Sequence, residues 1–172
     1  MEKMLNKNDG HDNMISHKGN AKHSSMYKRF AIMAVVMFVA MYFIMYAMID
    51  GTDNLILNLN NLYMALLMTS GMLLIELIIM RNMYTHKKIN LFILIISMAL
   101  GIFSWFGIRQ QIGIGDEQFV KGMIPHHAAA ILMSEKTALT DPELIQLQEN
   151  ILKTQAKEIE FMKRKLKEFE KK

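Results

Sequence analysis

The chain has 172 residues, 52% of them hydrophobic and 21% charged, with no Cys, two Pro and 18 Met. The absence of Cys excludes disulfide scaffolds, thiolate metal sites and thiol nucleophiles. The net charge of +4 sits beside apolar runs, where membrane topology explains it better than nucleic acid.

Residues 1–26 are polar, rich in Asn and Lys and without apolar periodicity, the composition of a disordered tail. His11, Met14, His17, His23 and Met26 lie in it, so it reads either as a solvated tail or as a loose collector of soft cations.

Region 27–108 holds three predicted membrane helices. Phe30 to Ile49 has no charged residue and, at 1.5 Å per residue, matches a hydrocarbon core of roughly 30 Å. A cleaved leader is not expected, because the run is too long and no small-x-small site follows. The second span covers 62–80, interrupted by Glu76, and the third covers 91–108. Lys18, Lys22, Lys28 and Arg29 precede the first span, and Arg81, Lys87 and Lys88 occupy the second loop. The first loop has Asp50 and Asp53 and no base. The expected topology is therefore a multi-pass protein of the cytoplasmic membrane, with a cytoplasmic N-terminus and an extracytoplasmic C-terminal segment. Ser97 and Gly101 form a small-xxx-small pair suited to a helix contact.

After a linker at 109–115, residues 116–172 turn amphipathic. One helix is expected from an N-cap at Asp116 to about Thr137, kinked at Pro125. A second starts either from a Thr140–Glu143 capping box or from Asp141 followed by Pro142. The fold class is all-α: three transmembrane helices followed by an extramembrane antiparallel helical hairpin. A hairpin this small cannot bury enough apolar area alone. Two hairpins from two chains, making the dimeric half-and-half of a four-helix bundle, are the simplest remedy. Packing on the chain's own membrane helices is the alternative. Acids and bases balance in this segment, so no nucleic-acid partner is expected.

Within the run FVKGMIPHHAAAILM, Met123 stands three and four residues from His126 and His127 and can share a face with either. The two His are about 100° apart on the helix and do not readily chelate one ion together. Folding about 139–140 sets His126 opposite Lys153 and Met123 opposite Ala156, with Gln155, Glu158 and Met162 nearby. Thioether with imidazole suits copper(I) better than zinc, calcium or magnesium. The competing readings are a Met-filled seam carrying surface His, and a general-base His. The latter lacks any nucleophile or oxyanion donor nearby, and no enzymatic activity is expected.

The run DEQFVKGMIPHHAAAILM with the later QAKEIEFM, about residues 116–165, resembles the bacterial domain-of-unknown-function family 305, known for M-x-P-H-H and Q-x-x-E-I-x-x-M. The resemblance implies a ferritin-like helical unit, copper binding outside the cytoplasm as in some members, and Met123, His126, His127, Met133 and Met162 as ligands. The chain departs from the pattern in two ways. It has one His-His helix where many members have two, and Lys136 and Thr137 where many have a His before the turn.

Met33, Met37, Met41, Met45 and Met48 line the first span, and Met64, Met68, Met72 and Met80 the second, mostly in steps of four that keep one helix face. They read either as pliable packing or as a soft-metal path ending near Glu76. The expected function is copper(I) sequestration or hand-over by a membrane-anchored homodimer, delivering to a copper-handling partner protein. A Met-lined copper transporter and a metal-free assembly module are the alternatives.

Overall fold

The structure is a computed structural model and describes residues 9–171, with side chains from Ser25 onward. Among these residues every regular element is helical: α1 (Asp9–Ile44), α2 (Leu59–Ile79), α3 (Lys87–Gln110), α4 (Asp116–Lys136) and α5 (Pro142–Phe169). Two short 3₁₀ turns, Met45–Met48 and Thr52–Asn54, lie between α1 and α2. α1 takes in residues 9–26, where the sequence predicts disorder. No Pro interrupts that stretch, and extending a helix already nucleated in the apolar run is far cheaper than starting one. Residues 1–8 of the expected tail, and the side chains of His11, Met14, His17 and His23, lie outside the described residues.

Among the described residues three segments are long and apolar enough to cross a membrane: Ser25–Met48, Leu59–Ile79 and Lys87–Gln110. The first closes as a 3₁₀ turn where the sequence predicts α-helix through Ile49. α2 and α3 approach through small residues, as the Ser97/Gly101 pair predicts. Ser97 and Ser104 are buried, and a methyl on Gly101 would sit 2.8 Å from the Ser70 hydroxyl. A methyl on Gly107 would come within 2.9 Å of the Tyr63 ring, whose hydroxyl donates to the Ile112 carbonyl at 2.9 Å.

At the end of the segment that carries the basic loop, Tyr84 meets Phe30 edge-on and Tyr27 at a tilt, with ring centroids 5.4 and 5.5 Å away. Asn90 ties them together, accepting from the Tyr27 hydroxyl at 2.8 Å and donating to the Tyr84 carbonyl at 2.7 Å. The opposite end is built on Asn58. This buried residue caps α2 by accepting from the Asn61 amide at 2.9 Å, and its own amide donates to Tyr46 and to the Ile56 carbonyl.

α4 and α5 pair antiparallel around Val120, Ile124, Ala128, Ile131, Ile159, Met162 and Leu166. Asp141 caps α5 by accepting from the Glu143 and Leu144 amides, with Pro142 in the first turn, so the Asp-Pro start forms and not the Thr140 capping box. At the start of α4 Gly115 takes the cap position expected of Asp116, which instead places its acid in the first turn. The helix runs on through Pro125 as one element. The hairpin does not stand free. Ile49, at the end of the first span, and Ile56 of the first loop pack against its core, and Gln118 accepts from the Leu59 amide at 3.1 Å. The alternative remedy for its small core, packing on the chain's own membrane end, is thus present.

Candidate metal centre

The face of α4 carrying Gly122, Pro125, His126 and Ala129, at spacings of three and four, turns toward the membrane end. There it closes a cleft of about 420 Å³ whose remaining walls include Met45, Met48, Met64, Met123, Asn60 and Gln111. The Asn60 and Gln111 amides bond to each other reciprocally at 3.1 and 3.3 Å, which holds the start of α2 against the end of α3. Gly122 is where α4 comes close to this wall, for a methyl there would lie 3.3 Å from the Asn60 amide nitrogen. Four thioethers and one imidazole therefore border one cavity, contributed by the 3₁₀ turn after α1, by α2 and by α4.

His127 lies on another face. It is buried, its Nδ1 is 2.9 Å from the Met123 carbonyl and its Nε2 is 2.7 Å from a Glu158 carboxylate oxygen. A carbonyl only accepts, so Nδ1 carries a proton. With Nε2 on a carboxylate, neither nitrogen has a lone pair free for a metal, and joining a coordination sphere would mean surrendering Glu158. The neighbouring rings are 6.2 Å apart between centroids and serve different surfaces, as their 100° separation on the helix predicts.

The five sequence-expected ligands are therefore dispersed. Met123 and exposed His126 share the cleft, whereas His127 is bound to Glu158. Met162 is buried in the hairpin core. Met133 is exposed and borders a shallow apolar pocket of about 270 Å³ with Leu144, Leu147 and Ile151 near the hairpin turn. The expected register also shifts. His127 meets Glu158, and Gln148 donates to the carbonyls of Ser134 and Thr137, three to six residues from the partners of the simple fold-back. The chain turns between α4 and α5 through the non-helical stretch 137–141. Met45, Met48 and Met64 belong to the membrane Met files, and their spacing signals a helix face without revealing that the hairpin closes over its outer end.

The donor set decides what fits. Among the described residues no three His, Asp or Glu converge on a point, so a hard-cation site of that kind is not formed. Thioethers with an imidazole match copper(I) or silver(I).

Residues 111–171 match the family described as "Domain of unknown function (DUF305)". The chain is also similar to "Uncharacterized protein L153" of Acanthamoeba polyphaga mimivirus, 36% identical over 134 residues, which is 76% of this chain and 86% of that protein. That alignment is longer than the family segment, so the similarity reaches into the membrane helices. No solved structure matches the chain.

Proposed function

We propose, from the premise that the chain belongs to domain-of-unknown-function family 305, that it is a membrane-anchored binder of copper(I). In this reading it sequesters or hands over the ion without catalysing a reaction. The observation that carries the proposal is the cleft bordered together by Met45, Met48, Met64, Met123 and His126. Thioethers bind without losing a proton, and a d¹⁰ cation tolerates the low coordination numbers such a set provides. In this reading the basic end of the bundle is cytoplasmic, as the positive-inside rule favours, and the cleft opens on the extracytoplasmic side of the cytoplasmic membrane, in the periplasm or the exterior. Its openness suits transfer to a copper-handling partner protein. Met133, Leu144 and Leu147 stand roughly half exposed near the hairpin turn and supply an apolar surface for a homodimer.

The test uses the full chain in detergent micelles, titrated with copper(I) against a competing chelator. Changing Met123→Leu with His126→Ala, or Met45→Leu with Met64→Leu, is expected to weaken binding by about ten- to a hundredfold or more. Parent-like affinity in both double variants overturns the proposal.

A further inference from the structure

The cleft accounts for only the outer ends of the two Met files. We infer that these files form a transmembrane ladder along which copper(I) or silver(I) passes between the cleft and a second soft-cation site at the opposite end of α1 and α2; the inference rests on the cleft being a metal site.

Two cavities pin the register of these antiparallel helices. Met45 and Met64 border the outer cleft, while Met33 and Glu76 border a cavity of about 520 Å³ at the other end. Between those points α1 descends from 45 to 33 as α2 ascends from 64 to 76, the same number of residues. Steps of four therefore set Met41 level with Met68 and Met37 level with Met72, and the innermost rung pairs Met33 with the one carboxylate of the span. At 1.5 Å per residue the rungs are about 6 Å apart, within the swing of two unbranched thioether side chains. The middle rungs are not locked in a core: Met37 and Met41 are half-buried, and Met68 and Met72 are 39% and 40% exposed.

The inner cavity is chemically a second terminus. Met26, Met33 and Met83 border it with Glu76, and the buried Tyr84 hydroxyl donates to one Glu76 oxygen at 3.0 Å, orienting the carboxylate and leaving its other oxygen available. Arg29 reaches the exposed rim. A cation crossing a bilayer pays heavily for lost hydration. Thioethers at each level replace water for a soft ion, and Glu76 compensates its charge where it leaves the apolar region. Sodium, potassium and magnesium gain little from sulfur and are excluded by ligand type.

The experiment places the full chain in liposomes enclosing a silver(I)-responsive dye and measures the initial rate after external silver(I) is added. The parent is expected to exceed protein-free vesicles. Met37→Leu with Met72→Leu, and Glu76→Gln, are expected to slow entry by about tenfold or more while micellar binding at the cleft is retained. Met98→Leu, exposed on α3 away from the ladder, should leave the rate unchanged. A parent rate equal to that of empty vesicles, or parent-like rates in the ladder variants, overturns the ladder. Loss of cleft binding in the parent itself overturns instead the reading on which it rests.

Discussion

Replacing each of the adjacent histidines by Ala separates two roles that the sequence presents as a pair. In His127→Ala a side chain only 9% exposed is removed together with both its hydrogen bonds. The bond to the Met123 carbonyl contributes about 1 kcal/mol, and that carbonyl, inside α4, keeps its helical partner. The contact with Glu158 is charge-assisted, but the Glu158 side chain is 50% exposed and finds water once released, so about 1–1.5 kcal/mol is a fair share. With the space left in a tight hairpin, the loss comes to about 2–3 kcal/mol. His126 is exposed, and His126→Ala should change stability by less than about 0.5 kcal/mol. Hydrogen exchange of the α4 and α5 amides in micelles reads this difference, since 2–3 kcal/mol is about a 30- to 150-fold loss of protection. Copper(I) titration of the same samples should give the opposite order, with His126→Ala weakened far more than whatever remains folded of His127→Ala. Unchanged protection in His127→Ala, with affinity lost there and retained in His126→Ala, would refute the assignment of His127 to the fold and His126 to the cleft.

Three further outcomes follow from the same contacts. Gly107→Ala forces a methyl to within 2.9 Å of the anchored Tyr63 ring and is expected to cost about 1–3 kcal/mol, read as a lower thermal midpoint in micelles. Ser104→Ala removes a fully buried hydroxyl that has no hydrogen-bond partner, so the midpoint should hold or rise; a clear fall would mean that the hydroxyl does bond across α2 and α3. Burial, and then the neighbouring Glu76 carboxylate, push the Tyr84 phenol up from 10.0 to about 12. Because the fold favours the protonated phenol, its contribution is complete below pH 10.0 and is lost as pH rises through about 12; comparing alkaline melting of the parent with Tyr84→Phe isolates it.

What the linear pattern determines here is whatever depends on one segment and its solvent. Length and hydropathy alone specify the three membrane-compatible helices, residues 140–143 narrow the start of α5 to two caps of which Asp141 forms, and the Ser97/Gly101 pair specifies where two helices can approach. The Met-Ile-Pro-His-His run identifies the family segment in the same local way. Only the tertiary structure decides which donors share a cavity. Met45, Met48 and Met64 are distant in sequence from Met123 and His126, and they border one cavity because the Leu59–Gln118 bond and the packing of Ile49 and Ile56 on the hairpin core seat α4 beside the outer end of α2. The pairing of α4 with α5 buries Met162, turns His127 to Glu158 and leaves Met133 near the hairpin turn, since a rotation of 100° per residue sends neighbouring side chains to different surfaces. Periodicity tells which residues share a helix face; what that face meets is settled by the non-helical residues 137–141 and by the loop contacts, which carry no period to read.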